Sequence, residues 1–348
     1  MGSDPVAEVV GRLDPVDQAE RERWSRSLGD SSHADAMASM AALHQIEVGG
    51  APAGAHAGDA LRVVAWNLER GVHLDPALEV LRHHRPDVVL ASELDVGMAR
   101  SGNRHTAADL AEGLGHGYAF GVEFVELGLG DAGEVERLGA DAANAEGLHG
   151  NAITARFPLA DPILIRIEDD GSWFDLVTDQ PRVGGRMALA ARIEHQGRPV
   201  VVCSLHLESE SDPDLRAAQL TIVLEAIDAR YGGVACVVGG DLNTFSAHLA
   251  EVRARFREMR EADPDRFCWP VPYEPLFDVA RRHGFDVEAA NAAEQTMRQS
   301  ARQRDGSLLR LDWLLVRGVE VTARSTIAAL DPAGSVISDH DAVMATLR

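Results

Sequence analysis

The 348-residue chain has no lysine: all 33 of its basic residues are arginine, set against 55 acids for a formal net charge of −22. Catalysis through a Schiff-base or phosphate-loop lysine is therefore excluded. The charge also argues against an extended nucleic-acid surface, because such surfaces draw most of their sequence-independent affinity from basic side chains. Aromatic residues make up only 5% of the chain, which leaves no run of stacking side chains. The three cysteines, Cys203, Cys236 and Cys268, are an odd number without metal-ligand spacing, and the first two lie in apolar runs that suit buried, reduced thiols. No apolar stretch approaches the roughly 18–20 residues of a transmembrane helix, and the opening residues lack the basic region of a secretion signal. The expectation is a soluble, cytoplasmic protein of undetermined oligomeric state.

What is present is 45% hydrophobic content, ample for a full core. Charge is uneven, with net −18 over residues 1–180 and net −4 over residues 181–348. Residues 1–48 read as a helical N-terminal extension, with Val16, Trp24, Leu28, Met37, Met40, Leu43 and Ile46 at near-helical intervals. Residues 49–59 have the Gly/Ala-rich composition of a linker, and residues 60–348 form the main domain. There, strand patterns at 61–67, 87–93, 152–155, 186–194, 199–206, 234–239, 311–316 and 342–347 mix with helical patterns at 76–84, 214–229, 247–262 and 276–283. Such mixing implies an α/β or α+β domain. Residues 128–146, acidic and glycine-rich, read as a surface excursion.

Polar residues suited to metal or proton chemistry sit at the ends of the strand patterns: Asn67, Glu69, Glu93, His206, Asp241, Asn243, Asp312, Asp339 and His340. Strand ends collect function because a rigid sheet there aims side chains into one crevice. Taken singly, each such Asn or Asp is an ordinary turn or cap residue. Together, Trp66-Asn67-Leu68-Glu69, Ser92-Glu93-Leu94, Ser204-Leu205-His206-Leu207, Gly239-Gly240-Asp241-Leu242-Asn243-Thr244, Arg310-Leu311-Asp312-Trp313 and Ser338-Asp339-His340 stand in the order and roughly at the spacing of one superfamily. From about Leu61 onward the chain resembles the endonuclease/exonuclease/phosphatase superfamily.

That resemblance implies a four-layer sandwich of two packed mixed β-sheets flanked by helices. It also implies divalent-metal-dependent hydrolysis of a phosphate ester by in-line attack of water, with residues 60–348 as the catalytic domain. In that frame Glu93, Asn67, Asp339 and Glu69 hold the metal. His340 serves as general base or as donor to the phosphoryl oxygens, Asp312 orients His340, Asp241 activates water, and Asn243 and His206 contact the phosphate. Up to five carboxylates would converge, and one like-charge pair at 4 Å costs about 1 kcal/mol in water and about 4 kcal/mol at an effective dielectric near 20. A cation is required, and an all-oxygen donor set favours Mg²⁺ or Mn²⁺.

Asn151 and Arg186 are substrate-contact candidates beside turn and surface readings, and Glu123 is a candidate partner for His206. Arg298, Arg302, Arg304 and Arg310, like Arg253, Arg257 and Arg260, either grip further phosphates or pair with neighbouring acids. The segment from Phe267 to Tyr273 reads as a packed loop or an apolar lip. The substrate expected is a small or lipid-derived phosphate ester. The alternatives are a nuclease for short or single-stranded ends and a catalytically silent binding protein.

Overall fold

The computed structural model describes residues 5–29, 32–54, 60–139, 141–168, 170–174, 179–298 and 309–348. In chain order the strands are β1 (Val9–Val10), β2 (Ile46–Gly50), β3 (Leu61–Asn67), β4 (Val88–Val96), β5 (Gly117–Glu126), β6 (Leu148–Ala155), β7 (Ala160–Arg166), β8 (Arg182–Gly184), β9 (Met187–His195), β10 (Arg198–His206), β11 (Ala235–Asp241), β12 (Asp312–Arg317), β13 (Val321–Ile327) and β14 (Ala342–Leu347). The α-helices are α1 (Gln18–Arg26), α2 (His33–Ser39), α3 (Leu74–His84), α4 (Thr106–Leu114), α5 (Ala132–Leu138), α6 (Pro213–Tyr231), α7 (Leu249–Ala262) and α8 (Leu276–Arg282). One sheet runs β1-β2-β5-β6-β4-β3-β14-β13, with β8 also on β5, and the other runs β12-β11-β10-β9-β7. Both are mixed: β3 and β4 pair in parallel, as do β10 and β11, while most other neighbours are antiparallel.

Side-chain alternation along each strand produces the layers. Val63 and Ala65 of β3 face inward with Leu90, Leu189, Val202, Val237 and Leu314, filling the space between the sheets. Val64 and Trp66 face outward, packing with Leu78, Leu81 and Leu110 of α3 and α4. On the far side Val201, Cys203 and Val238 pack with Leu220, Val223, Leu224 and Phe277 of α6 and α8. This is the expected four-layer sandwich. Local signals start and stop the helices: Asp212 accepts the Leu215 amide at 2.8 Å to cap α6, with Pro213 in its first turn, and Gly115 ends α4 at φ 66°. No helix among the described residues is long and apolar enough to cross a membrane.

The described residues among the first 50 are built into the sandwich. Helices α1 and α2 form, but Gly49 and Gly50, read from sequence as the start of a linker, belong to strand β2, which pairs with β5 from Ile46↔Gly121 to Gly50↔Gly117. Val6 exchanges backbone hydrogen bonds with Leu164 of the other sheet. The apolar positions that suggested an amphipathic extension, Leu43 and Ile46 among them, are fully buried. Residues 55–59 of the proposed linker lie outside the described residues. Residues 128–146 also depart from a simple excursion, because α5 carries a capping box between Asp131 and Glu134 and the Glu134 side chain is buried.

Glu47 secures this segment. Its carboxylate accepts from Tyr118 Oη at 2.6 Å, His105 Nε2 at 2.8 Å and the Leu13 amide at 2.9 Å. Burial works to raise its pKa, yet these donors outweigh it and lower the group to about 2. A depressed carboxyl contributes stability above its unfolded pKa and loses it as pH falls through the folded value. Glu47→Gln is therefore expected to remove on the order of 3 kcal/mol at neutral pH and to flatten the loss of stability between about pH 4.5 and 2, measured by urea unfolding across that range.

Candidate functional site

The strands that carry the sequence motifs end on one edge of the sandwich. His206 closes β10 and lies in register with Asp241, which closes β11; Asp241 in turn lies opposite Asp312, which opens β12. Gly240 makes this possible, since at φ 147° a Cβ would collide with the Leu205 carbonyl oxygen of the neighbouring strand. From the other sheet, Asn67 at the end of β3 reaches across. Its Nδ2 donates to Glu93 Oε1 at 3.0 Å and to Asp241 Oδ2 at 3.2 Å, while its Oδ1 accepts the Glu69 amide at 3.1 Å.

Backbone distortion aims several of these groups. The β4–β6 register breaks between Ala91 and Leu94, a bulge that turns Glu93 toward the edge at φ 55°. Glu69, Arg70 and Asn243 also lie at positive φ, at 45°, 65° and 49°. Such conformations cost of order 1–3 kcal/mol each in non-glycine residues and gather at functional sites.

Two imidazoles flank one carboxylate oxygen. His340 Nδ1 lies 2.8 Å from Asp312 Oδ2, and because a carboxylate only accepts, that nitrogen carries the proton. Arg186 Nη1 lies 3.0 Å from His206 Nδ1 and 3.3 Å from its Nε2, so the guanidinium sits against the edge of that imidazole. Both Nε2 atoms then stand 3.7 Å from Asp241 Oδ2. Ligand atoms of Asp241, Asp312 and His340 all fall within 4.8 Å of one another. Burial works against charging His340, but Asp312, Asp241 and Asp339 raise its pKa well above the usual histidine range. Burial raises Asp241, with Asp312 adding to it. Glu69 is raised by burial and by the charges of Asp339 and Glu93. Burial opposes the Glu93 charge too, yet Arg70, His206 and His149 hold that carboxyl well below its ordinary value.

Asp339 and Glu69 meet through the Asp339 amide, which donates to Glu69 Oε2 at 3.0 Å, and Ser338 Oγ donates to the Asn67 carbonyl at 2.7 Å. Nine of the sequence candidates are thus brought to one edge. Of the other three, Arg186 reaches the same edge through His206, and Arg310 and Asn151 are spent in packing. Arg310 is fully buried, donating to the Glu294 carbonyl and Asn291 Oδ1 at 2.9 Å each, with its guanidinium 4.5 Å from the Trp313 ring centre. It braces the fold and does not face the crevice. Asn151 is buried with its Nδ2 on the Met187 carbonyl at 3.1 Å, and its Oδ1 finds no protein partner. Arg186 is buried as an ion pair with Glu123 at 2.9 Å and Glu208 at 3.0 Å.

Glu123 comes within 3.7 Å of His206 but bonds Arg186 more closely. One side-chain N–H of Asn243 is taken by the Leu207 carbonyl at 2.7 Å. On α7, Arg253 pairs with Glu210 at 3.3 Å. Arg298 bonds Asp341. Arg302 and Arg304 lie outside the described residues. Phe267 is buried against Phe256, and Trp269 packs on Trp313, so that segment is a packed loop. The reading from sequence missed Arg70, Trp173 and Arg182, which border a cavity beside Glu93, and Glu208, which pairs with Arg186.

The model of the Endonuclease/Exonuclease/phosphatase family matches residues 64–340. A comparison with curated protein sequences finds none that matches. Among solved structures, an endonuclease/exonuclease/phosphatase from Beutenbergia cavernae DSM 12333 is similar at TM-score 0.54 and 21% identity, covering 84% of this chain and 72% of that one. One from Bacteroides vulgatus reaches 0.53 at 15% identity, over 84% and 99%. The human Nocturnin catalytic domain with bound sulfate reaches 0.51 at 17%, over 87% and 97%. At these identities the likeness is one of fold.

Two outcomes follow from the site geometry. Arg186→Met leaves Glu123 and Glu208 buried without their cation and is expected to lower stability by on the order of 3–5 kcal/mol in urea unfolding. In metal-free protein followed by NMR, His340 is expected to lose its proton only well above the ordinary histidine range. Asp312→Asn is expected to bring that transition down toward the ordinary value of about 6.5.

Proposed function

Because the chain belongs to the endonuclease/exonuclease/phosphatase family, we propose that it is a divalent-metal-dependent, cytoplasmic hydrolase of small or lipid-derived phosphate esters, working by in-line attack of water. The observation that carries this reading is the pair of imidazole Nε2 atoms, each 3.7 Å from Asp241 Oδ2. That separation is too wide for a hydrogen bond and suits a third group placed among the three. Asp241, its pKa raised, takes or directs a proton of the attacking water. His340, held charged by Asp312, donates through Nε2 to a phosphoryl oxygen, which favours the donor role over that of general base. His206 borders the same place from the opposite side through Nε2.

The carboxylates of Glu93, Glu69 and Asp339, with a free lone pair on Asn67 Oδ1, make an all-oxygen donor set whose mutual repulsion raises Glu69 and adds to burial at Asp339. That set fits Mg²⁺ or Mn²⁺, and thiols are absent from it. When bound, such an ion offsets the charge of the phosphoryl transition state and of the leaving oxygen. The α7 arginines support a small substrate rather than a polymer, since Arg253 and Arg255 are engaged with Glu210, Glu251 and Glu258.

The purified chain is expected to release p-nitrophenol from p-nitrophenyl phosphate or its bis ester with Mg²⁺ or Mn²⁺, and to stop in EDTA. His340→Ala and Asp241→Asn should each lower kcat by about 10²- to 10⁴-fold while the fold, judged by circular dichroism, persists. Folded protein inactive on both esters, on nucleotides and on inositol phosphates would exclude the hydrolase. Oligonucleotide cleavage that falls steeply with salt would replace the small substrate with a nucleic acid.

A further inference from the structure

Beside the imidazoles a cavity of about 290 Å³ opens, bordered by Glu93 and Arg186 on the site side and by Arg70, His149, Trp173 and Arg182 beyond. Glu93 is bonded to Asn67, and Arg186 to His206, so the cavity adjoins the place proposed for the phosphoryl group. Whatever that phosphorus is esterified to extends into it. The volume sits near the lower end of ligand pockets, roughly 300 Å³, which is room for one ring and not for a polymer.

The charges there are already matched. Arg186 lies against Glu123 and Glu208, Arg182 is 3.7 Å from Glu126, and Arg70 is 3.5 Å from Glu134 and 4.0 Å from Asp131. Arg100, just behind, bonds Asp95, Glu126 and Glu134. Four guanidinium groups thus face six carboxylates, Glu123, Glu208, Glu126, Glu134, Asp131 and Asp95. Among the described residues of the wall no arginine is left to hold a second phosphate, and the excess of acid repels one.

Apolar surface is scarce. The Trp173 ring carries the Arg182 guanidinium 4.0 Å from its centre, and the same guanidinium lies 4.0 Å from the Phe124 ring on its other side. Trp173 Nε1 is fixed to Glu208 Oε2 at 2.8 Å. One face of the indole is therefore covered, which weakens stacking on a nucleobase, and apart from that ring no described residue of the wall is apolar enough to receive an acyl chain. The wall instead sets N–H donors beside carboxylate acceptors repeatedly and rigidly. A vicinal pair of hydroxyls, each both donor and acceptor, satisfies such pairs without adding charge.

Resting on the phosphoesterase reading above, we propose that this cavity receives a compact, neutral, polyhydroxylated leaving group, so that the substrate is a sugar or cyclitol bearing a single phosphate. The test compares kcat/KM of the full chain, with Mg²⁺ or Mn²⁺, on glucose 6-phosphate, myo-inositol 1-phosphate, AMP, glucose 1,6-bisphosphate and p-nitrophenyl phosphate. At least one of the two polyol monophosphates should exceed AMP and the bisphosphate by about 10²-fold or more. Trp173→Ala and Arg182→Gln should raise KM for that ester about tenfold and lower kcat less, since they remove ground-state binding. Hydrolysis of p-nitrophenyl phosphate with no polyol preference, or with AMP preferred, overturns the assignment of the cavity and leaves the phosphoesterase reading standing. Absence of hydrolysis on every ester overturns the phosphoesterase reading instead. The cavity is then decided by titrating metal-free protein with myo-inositol and glucose while following tryptophan fluorescence. Saturable quenching that is lost in Trp173→Phe supports it, and an unsaturable or absent response refutes it.

Discussion

The side-chain amide of Asn67 joins the two sheets at their functional edge. Its nitrogen holds Glu93 from one sheet and Asp241 from the other, two carboxylates that would otherwise repel, while its oxygen takes the Glu69 amide. A neutral group does this differently from an arginine, because it links the acids without cancelling their charge. Around this link the same edge gathers the distorted backbone of Glu69, Arg70, Glu93 and Asn243. The packed layers beneath it, almost wholly aliphatic, supply the rigidity that holds those conformations in place.

Burying so many charges costs more than their attraction returns unless each is hydrogen-bonded as well as paired. Two buried arginines go far toward meeting that condition. Arg100 donates through three of its nitrogens to Asp95, Glu126 and Glu134, and Arg216 does the same for Glu274, Ser211 and the Ala247 carbonyl. Lysine presents a single point charge and could not bridge three acids in a plane. The absence of lysine, which first served to exclude chemistries, is consistent with an interior that relies on forked donors. The large net negative charge is likewise drawn in part from acids that lie inside this network rather than on the surface.

The eight strands expected from the sequence were legible because they alternate or form apolar runs that end in a polar motif, and β3 and β14 match to the residue. Strand β5 was not, since all ten of its residues are buried and a bulge at Glu123 breaks any period of two. Strand β13, at a sheet edge, exposes Thr322, Ala323, Arg324 and Ser325 and reads as loop. Strand β2 was hidden by Gly49-Gly50, whose lack of side chains makes room for the Tyr118 ring and the His116 carbonyl. In the site, residues inside motifs were found and residues outside them were not. Arg182 reaches the cavity only because β8 pairs with β5, a contact across more than fifty residues that leaves no local pattern. Arg310 shows the opposite error: adjacency to a motif suggested a substrate contact, whereas tertiary packing had already enclosed it.

The order of strands in the larger sheet also governs how the chain is made. Strand β14, near the end of the sequence, lies between β3 and β13, and its partner β3 is some 280 residues earlier. Until residues 342–347 have been synthesised, β3 presents an unpaired edge, and both Trp66 and the Asn67 carbonyl lack their partners at His340 and Ser338. Sequential closure as the chain emerges is therefore incomplete by construction, and folding of this sheet is a late, long-range event of the kind that proceeds slowly and leaves strand edges open to other chains. The assembled edge and the nascent one are the same place, so the residues of the candidate site are among the last to be enclosed.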